Sequence, residues 1–192
     1  MPCPRLGRPG AGVTIAAVRY REMNWDQEKI AFLGFGGNLG DVRKAFRAAR
    51  ENLSRHPQLR VLRSSSLYSS PAVGGPAGQP DYLNAVVMIA TSLAPRELLQ
   101  VCQEQEQAAG RERKIRWDAR TLDIDLLLYA DLQIAEPELE VPHPRLHQRH
   151  FTLRPLLELD GDLRHPRLKL PLGDLLRQLP PCAEIRAVQR NW

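Results

Sequence analysis

The chain has 192 residues, of which 43% are hydrophobic and 26% are charged, and its formal net charge is +5. This length suits one domain with a real hydrophobic core, and no apolar run approaches the roughly 20 residues that a membrane-spanning helix needs. The cysteines, at positions 3, 102 and 182, are odd in number and lack C-x-x-C spacing. They argue against a disulfide scaffold or a zinc ribbon and predict a reducing, cytoplasmic location.

The N-terminal residues differ in composition from the rest of the chain. The first twelve, MPCPRLGRPGAG, are rich in Pro, Gly and Arg, and the apolar stretch that follows them is too short for a secretory signal. We predict a disordered extension over residues 1–28 and a single domain over residues 29–192. An upstream start, with Met23 as the true initiator, and an organellar transit peptide are the alternatives.

The first half of the domain predicts a strand, a helix and a second extended segment. Residues 30–35, IAFLGF, form an apolar run that ends in a glycine-rich turn, and apolar residues recur at helical spacing over 42–53. An extended stretch over 59–69 follows. Residues 70–80, SPAVGGPAGQP, lack periodicity and predict a loop.

The second half predicts the same kinds of element. Residues 82–91, YLNAVVMIAT, predict a strand, and Pro95 suits the first turn of a helix that ends near Gly110. A buried stripe on this helix runs through Leu98, Leu99 and Cys102 and continues to Glu106.

A basic loop over 111–120 then leads into the strand TLDIDLLLY, and the Pro-rich remainder predicts a last helix near 173–179. The order strand, helix, strand, strand, helix, strand predicts an α+β fold of the ferredoxin-like βαββαβ type. We expect an antiparallel sheet with helices packed on one face, and added C-terminal elements.

Two carboxylates inside the apolar strand are the strongest sign of chemistry. Strand side chains alternate, so Asp123 and Asp125 share one face with Cα atoms about 6.6 Å apart, while their apolar neighbours fill the other face. Each Asp could simply pair with an arginine. However, the preceding loop, GRERKIRWDAR, is rich in arginines, which match phosphate geometry. Mg²⁺ takes one or two carboxylates and shares phosphate oxygens, so we favour a polyphosphate site.

Other ligand signatures are absent or weak. The chain has no P-loop motif, and its glycines at 34, 36, 37 and 40 do not match G-x-G-x-x-G. His143, His147 and His150 have zinc-like spacing, but prolines interrupt the segment. A phosphate-contacting or exposed set explains these histidines better than a metal cage.

Together these segments resemble the 6-hydroxymethyl-7,8-dihydropterin pyrophosphokinase family of folate biosynthesis. The resemblance rests on GGNLGD, QPDYLNAVV, RWDARTLDIDLLLY and VPHPRLHQRHF, from about residue 29 to at least residue 160. It implies an enzyme that transfers the pyrophosphoryl group of ATP to the pterin hydroxymethyl oxygen and releases AMP. It implies two Mg²⁺ ions, the small molecules ATP and pterin as substrates, and no nucleic-acid, membrane or obligate protein partner.

The resemblance also assigns roles to residues. Asp123 and Asp125 would hold the magnesium ions, and Arg111 and Arg120 would grip the ATP phosphates. The positions assigned to the nucleotide are Gln103, Glu106, Arg113, Trp117, His143 and Arg149. The pterin positions are Ser70, Pro71, Val73, Tyr82, Asn84 and Phe151, of which Tyr82 and Phe151 would sandwich the ring and Asn84 would read its edge.

Some positions depart from the family pattern. Gly37 stands where the family usually has Ser, Asp118 and Ala119 replace the common Gly-Pro of WGPR, and Pro144 replaces a frequent aromatic residue. The loop before Trp117 is about one residue short, which leaves the role of Arg116 open.

Two other functions fit parts of this pattern. A metal-dependent nucleotidyltransferase can also use a D-x-D pair, but it releases pyrophosphate. An RNA-binding module of the same element order stacks bases on aromatic side chains of its central strands. NAVVMIAT carries no such side chain, and the positive charge lies in a loop.

Overall fold

The computed structural model describes residues 28–72, 78–110 and 119–192. Residues 1–27 of the predicted N-terminal extension lie outside these ranges, as do Val73, Arg111, Arg113 and Trp117. Within the described residues the strands are β1 (Lys29–Gly37), β2 (Leu59–Ser64), β3 (Leu67–Ser70), β4 (Tyr82–Thr91), β5 (Asp123–Tyr129), β6 (Ile134–Glu136), β7 (Leu139–Val141) and β8 (Arg186–Gln189). The α-helices are α1 (Val42–Arg55), α2 (Pro95–Ala108), α3 (His150–Leu159) and α4 (Leu172–Gln178).

The main sheet is antiparallel and has the strand order β5-β1-β4-β3-β8, with β2 also paired to β4. The predicted extended stretch over 59–69 is therefore two strands. The break falls at Ser65 and Ser66, where Ser65 exchanges hydrogen bonds with the backbone of Val86. These bonds keep β4 paired across the break. Strands β6 and β7 form a separate two-stranded sheet.

Helices cover both faces of the main sheet: α1 and α2 share one face, as predicted for the βαββαβ core, and the C-terminal helices α3 and α4 cover the other face, where no layer was predicted. Phe46 and Leu53 of α1 and Leu98 of α2 belong to one core cluster. Leu153 and Leu156 of α3 belong to a second cluster on the other face, together with residues of α4. The continuous burial of β4 from Asn84 to Thr91 is the consequence, because a strand covered on both faces lacks polar alternation.

Helix α3 was not predicted because its sequence, HFTLRPLLEL, contains Pro155 and follows a proline-interrupted segment. Proline removes one helical hydrogen bond and usually argues against a helix interior. Here burial of Thr152, Leu153, Leu156 and Leu159 outweighs that loss. The helix matters for function because it brings its first turn, with Phe151, to the sheet.

The strand β5 contains an irregularity that fixes which side chains face α3. Leu33 pairs with Leu126 and Phe32 pairs with Leu128, so Leu127 is an extra residue on β5. Leu126 lies in the core cluster beneath α1 and α2, whereas Leu127 and Leu128 lie in the cluster beneath α3. N-terminal to the bulge the predicted alternation holds.

Among the described residues, no helix is both long and apolar enough to cross a bilayer.

A buried histidine lies in the turn between α3 and α4. His165 is 4% exposed, and its Nδ1 accepts the backbone N–H groups of Arg167 and Leu168 at 3.3 and 3.2 Å. Burial, together with the nearby His147 and Arg167, lowers the pKa of His165 to about 4. The folded protein therefore holds this ring neutral, with its proton on Nε2.

We predict that His165 makes the folded state less stable in weak acid. Its folded pKa lies below the unfolded value of about 6.5, so the unfolded chain takes up the proton first as the pH falls from about 6.5 to 4. The loss reaches at most about 3 kcal/mol. His165→Asn keeps an acceptor for the two N–H groups but cannot titrate, so urea unfolding at pH 7.5 and 5 should show a smaller loss for the variant. Equal losses in both proteins would contradict this assignment.

Candidate active site

A cavity of about 310 Å³ opens on the α3 face of the sheet, where β1, β4 and β5 meet the first turn of α3. This volume is at the lower end of the range for small-molecule sites. Its walls combine charged groups from β5 and the segment after β7 with aromatic and amide groups from β4 and α3. The described lining residues are Gly34, Phe35, Gly36, Ser70, Pro71, Tyr82, Asn84, Ala85, Val86, Arg120, Asp123, Asp125, Leu127, His143, Arg145, Arg149, Phe151 and Thr152.

The charged side of the cavity is built on β5. Asp123 and Asp125 both line it, while Leu122, Ile124 and Leu126 are buried in the opposite core, which is the alternation expected from the sequence. Arg120 donates to Asp123 Oδ2 at 2.6 Å. Burial alone lowers the pKa of Arg120, but Asp123 and the Tyr82 hydroxyl outweigh it and raise the pKa overall. The guanidinium is therefore held charged at the edge of the carboxylate pair.

His143 lies next to the second carboxylate. Its Nε2 is 3.9 Å from Asp125 Oδ2, and its Nδ1 accepts the Arg145 backbone N–H at 3.2 Å. Burial and then the charges of Arg149 and Arg145 lower the pKa of His143 to about 4. The ring is therefore neutral near pH 7, and the bond to Nδ1 places its proton on Nε2, toward Asp125.

The aromatic side of the cavity is built on β4 and α3. Tyr82 and Phe151 both line it, and the guanidinium of Arg149 lies 5.3 Å from the centre of the Phe151 ring. Asn84, which is 7% exposed, donates through Nδ2 to Ser70 Oγ at 2.9 Å. This bond fixes the carboxamide and leaves its Oδ1 as the acceptor on the Gly36 side, 3.9 Å from where a Cβ of residue 36 would lie.

Gly36 and Arg145 line the cavity but were not predicted from the sequence. Gly36 leaves open space between Asn84 and Asp123, since a Cβ there would meet no protein atom closer than 3.9 Å. Arg145 adds a positive charge at the rim, beside Arg149. Neither follows a recognisable pattern: the glycine was assigned to a turn, and the arginine lies in the proline-interrupted segment. A comparison of the glycines with G-x-G-x-x-G cannot find a glycine whose role is to leave space in a cavity.

Two predicted nucleotide positions lie outside this cavity. Gln103 is half-buried on α2, and Glu106 is 4% exposed on the same helix, where it accepts the Ile124 backbone N–H at 2.7 Å. Their contact with a nucleotide stays a prediction. The cavity does bring together the other described positions of the predicted set, which are Ser70, Pro71, Tyr82, Asn84, Arg120, Asp123, Asp125, His143, Arg149 and Phe151.

The donor set suits magnesium better than a transition metal. Among the described residues, no group of three or more His, Cys, Asp or Glu side chains is arranged to hold a metal ion. Asp123 and Asp125 offer hard oxygen donors on one strand face, and the Asp125 side chain is 46% exposed to the cavity. Mg²⁺ is commonly bound by one or two carboxylates, with water and substrate phosphates completing its shell, so the pair fits this ion.

Residues 32–161 match the family profile of 7,8-dihydro-6-hydroxymethylpterin-pyrophosphokinase. Two relatives named 2-amino-4-hydroxy-6-hydroxymethyldihydropteridine pyrophosphokinase are similar over most of their length. The one from Synechocystis is 41% identical over 78% of this chain and 75% of its own. The one from Pseudomonas aeruginosa is 38% identical over 83% of this chain and 94% of its own.

Structural similarity extends to more distant chains. The crystal structure of wild-type Plasmodium falciparum HPPK-DHPS matches 79% of this chain with a TM-score of 0.61 at 13% sequence identity. This chain spans only 45% of that longer one. At this identity the likeness supports the fold alone.

Proposed function

The chain belongs to the 7,8-dihydro-6-hydroxymethylpterin-pyrophosphokinase family, and we propose that its cavity holds the two substrates of the family reaction side by side. The enzyme transfers the pyrophosphoryl group of ATP to the hydroxymethyl oxygen of 6-hydroxymethyl-7,8-dihydropterin and releases AMP, in tetrahydrofolate biosynthesis. One observation carries the proposed placement: a single cavity is lined by Arg120 and the two carboxylates of β5, and also by Tyr82, Phe151 and the fixed carboxamide of Asn84 from β4 and α3.

The order of the strands supports a ferredoxin-like βαββαβ core as the frame of this site. Strands β1 and β4 lie adjacent at the centre, β5 flanks β1, and β2 and β3 flank β4. The two crossover helices α1 and α2 share one face of the sheet. The cavity opens on the other face, where α3 supplies Phe151.

We place the pterin on the aromatic side. Tyr82 and Phe151 offer ring faces for stacking on a flat heteroaromatic molecule, and the Arg149 guanidinium beside Phe151 adds a polar edge. Asn84 supplies an oriented carboxamide at the base of the cavity because Ser70 holds it. A preformed hydrogen-bonding edge of this kind selects a ring by its donor and acceptor pattern.

We place the ATP phosphates on the charged side. Asp123 and Asp125 would hold magnesium, which when bound neutralises phosphate charge and aligns the reacting groups. Arg120 contacts the Asp123 carboxylate, which helps to keep the guanidinium protonated. The planar guanidinium can donate to two phosphate oxygens at once. Phosphoryl transfer needs mainly alignment and charge stabilisation from the protein, so we assign no general base.

Product analysis tests this function against the nucleotidyltransferase alternative. The protein is incubated with ATP, Mg²⁺ and the reduced hydroxymethylpterin, and the nucleotide product is identified. Release of AMP in equal amount to pyrophosphorylated pterin supports the proposal. Release of pyrophosphate with a nucleotidylated product would refute it. The RNA-binding alternative is disfavoured because α3 and α4 cover the sheet face that such modules leave open.

We predict that Asp123→Ala and Asp125→Ala each reduce turnover by at least about 100-fold, because metal-assisted charge stabilisation is worth several kcal/mol. Both variants should unfold at nearly the temperature of the unmodified protein, since both carboxylates face the cavity. Asp131→Ala, in the exposed turn after β5, is the matched control. Initial rates of AMP release and calorimetric unfolding measure the two effects. Full activity of either variant would show that the substituted Asp only pairs with an arginine and does not hold a catalytic metal ion.

We also predict that Arg120 and Tyr82 affect different steps. Arg120→Ala should lower single-turnover AMP release by about 100- to 1,000-fold, since a transition-state charge contact is worth about 2.7–4 kcal/mol. Tyr82→Ala should raise the pterin dissociation constant about 2- to 13-fold, from loss of roughly 0.5–1.5 kcal/mol of stacking.

Tyr82→Phe is the control for this pair, because it keeps the ring and removes the hydroxyl bonded to Arg120. Pterin affinity of Tyr82→Phe, measured by calorimetry, should stay close to that of the unmodified protein. If Arg120→Ala and Tyr82→Ala weakened pterin binding equally and kept the chemical rate, the division of the cavity into two sides would be wrong.

A further inference from the structure

The central strand β1 has glycine at both positions that pair with the two aspartates. Gly34 pairs with Asp125, and Gly36 pairs with Asp123. Both glycines line the cavity, and neither has a positive φ, so no turn or strained backbone requires glycine there. The surroundings of each residue therefore decide what its missing side chain does.

The space above Gly34 is filled by the protein itself. A Cβ built on Gly34 would lie 3.0 Å from Cδ1 and 3.1 Å from Cδ2 of Leu127, the extra residue of the β5 bulge. Leu127 is buried in the cluster beneath α3. Gly34 therefore makes room for core packing, and this packing explains its missing side chain without a ligand.

No atom of the described residues fills the space above Gly36. A Cβ there would meet Asn84 Oδ1 at 3.9 Å and the Asp123 Cβ at 4.0 Å, and no protein atom closer than these. Both neighbours line the cavity, so this volume is part of the cavity. Core packing therefore does not explain the glycine, and the space suits atoms of a ligand that contacts both neighbours.

Position 36 is the midpoint between the two proposed sides of the cavity. Gly36 pairs with Asn84 on β4 and with Asp123 on β5, and neighbouring strands lie about 4.8 Å apart. Asn84 belongs to the proposed pterin side and Asp123 to the phosphate side. The substrate atoms that join the ring to the transferred group, the hydroxymethyl carbon and oxygen, would therefore lie over Gly36.

We propose that Gly36 is a specificity-determining residue: its missing side chain leaves the volume that the pterin hydroxymethyl group occupies when its oxygen faces the ATP phosphates. This inference rests on the proposed function and adds the place of the reacting group to it. A methyl group at residue 36 would raise the cavity floor by about 1.5 Å, the length of a carbon–carbon bond. A misplacement of about 1 Å at a reacting group can lower the rate about 100-fold.

The first test compares two pterins, one with a hydroxymethyl group at ring position 6 and one with hydrogen there. Calorimetry is done with Mg²⁺ and an ATP analogue that has an uncleavable methylene bridge between its α and β phosphates. Gly36→Ala should weaken binding of 6-hydroxymethylpterin about 5-fold or more, since an extra methyl group in a filled space is costly. The dissociation constant of the unsubstituted pterin, measured directly or by competition, should change less than about twofold. An equal loss for both ligands, or no loss for either, would overturn the proposal.

The second test measures turnover and stability together. Gly36→Ala should lower single-turnover AMP release about 10- to 100-fold. It should unfold at the temperature of the unmodified protein or slightly above, because alanine suits a strand interior better than glycine and the methyl group meets no protein atom closer than 3.9 Å. Gly161→Ala, whose added Cβ would meet no atom within 4 Å, is the matched control and should keep full activity.

Gly34→Ala provides the structural comparison, because its methyl group would crowd Leu127 and should lower the unfolding temperature. Unchanged AMP release by Gly36→Ala, or a loss that comes with as large a fall in unfolding temperature as in Gly34→Ala, would overturn the proposal. Failure of the proposed function has a different signature, since the unmodified protein would then release no AMP with the reduced hydroxymethylpterin.

Discussion

The pairing of β1 with both β4 and β5 sets the distance between the two sides of the cavity. Gly36 is paired with Asn84 on one neighbour and with Asp123 on the other, so these three residues form one row across the sheet. Neighbouring strands lie about 4.8 Å apart, which separates the outer Cα atoms by about 10 Å. This is the scale of a bicyclic ring joined to a phosphate group. A slip of β5 by one residue would turn both aspartates into the core.

Charge balance in the cavity depends on the same row. Asp123 and Asp125 repel each other unless cations lie near, and in the described structure Arg120 contacts Asp123 while His143 faces Asp125. His143 is neutral because it is buried close to Arg149 and Arg145, so it contributes an N–H group and no charge. The described positive charge at the carboxylate pair therefore comes from an arginine and not from a protonated histidine, and an arginine can also bind phosphate oxygens.

The parts of the fold and site that the sequence predicted are those with strong local patterns. The β4 bounds and the shared face of Asp123 and Asp125 follow from strand periodicity, and the observed β4 matches its predicted range. The second helical layer was not predicted because Pro155 made the α3 segment look unlike a helix. Burial of β4 on both faces also removes the period-two pattern that would show which face is covered. The role of Gly36 could not be predicted either, since the value of an absent side chain depends on atoms that only the fold brings near.

Glu106 illustrates how a residue on the opposite face can still influence the cavity. The sequence places its carboxylate on the buried stripe of α2, and the resemblance assigns it to the nucleotide. In the structure it accepts the N–H of Ile124, the residue between the two aspartates. Among the described strands β5 is at the edge of the main sheet, so none of them lies beside this N–H, and the buried Glu106 carboxyl oxygen accepts it instead. Glu106 thus holds β5 in place from the core side, and so fixes the positions from which Asp123 and Asp125 face the cavity.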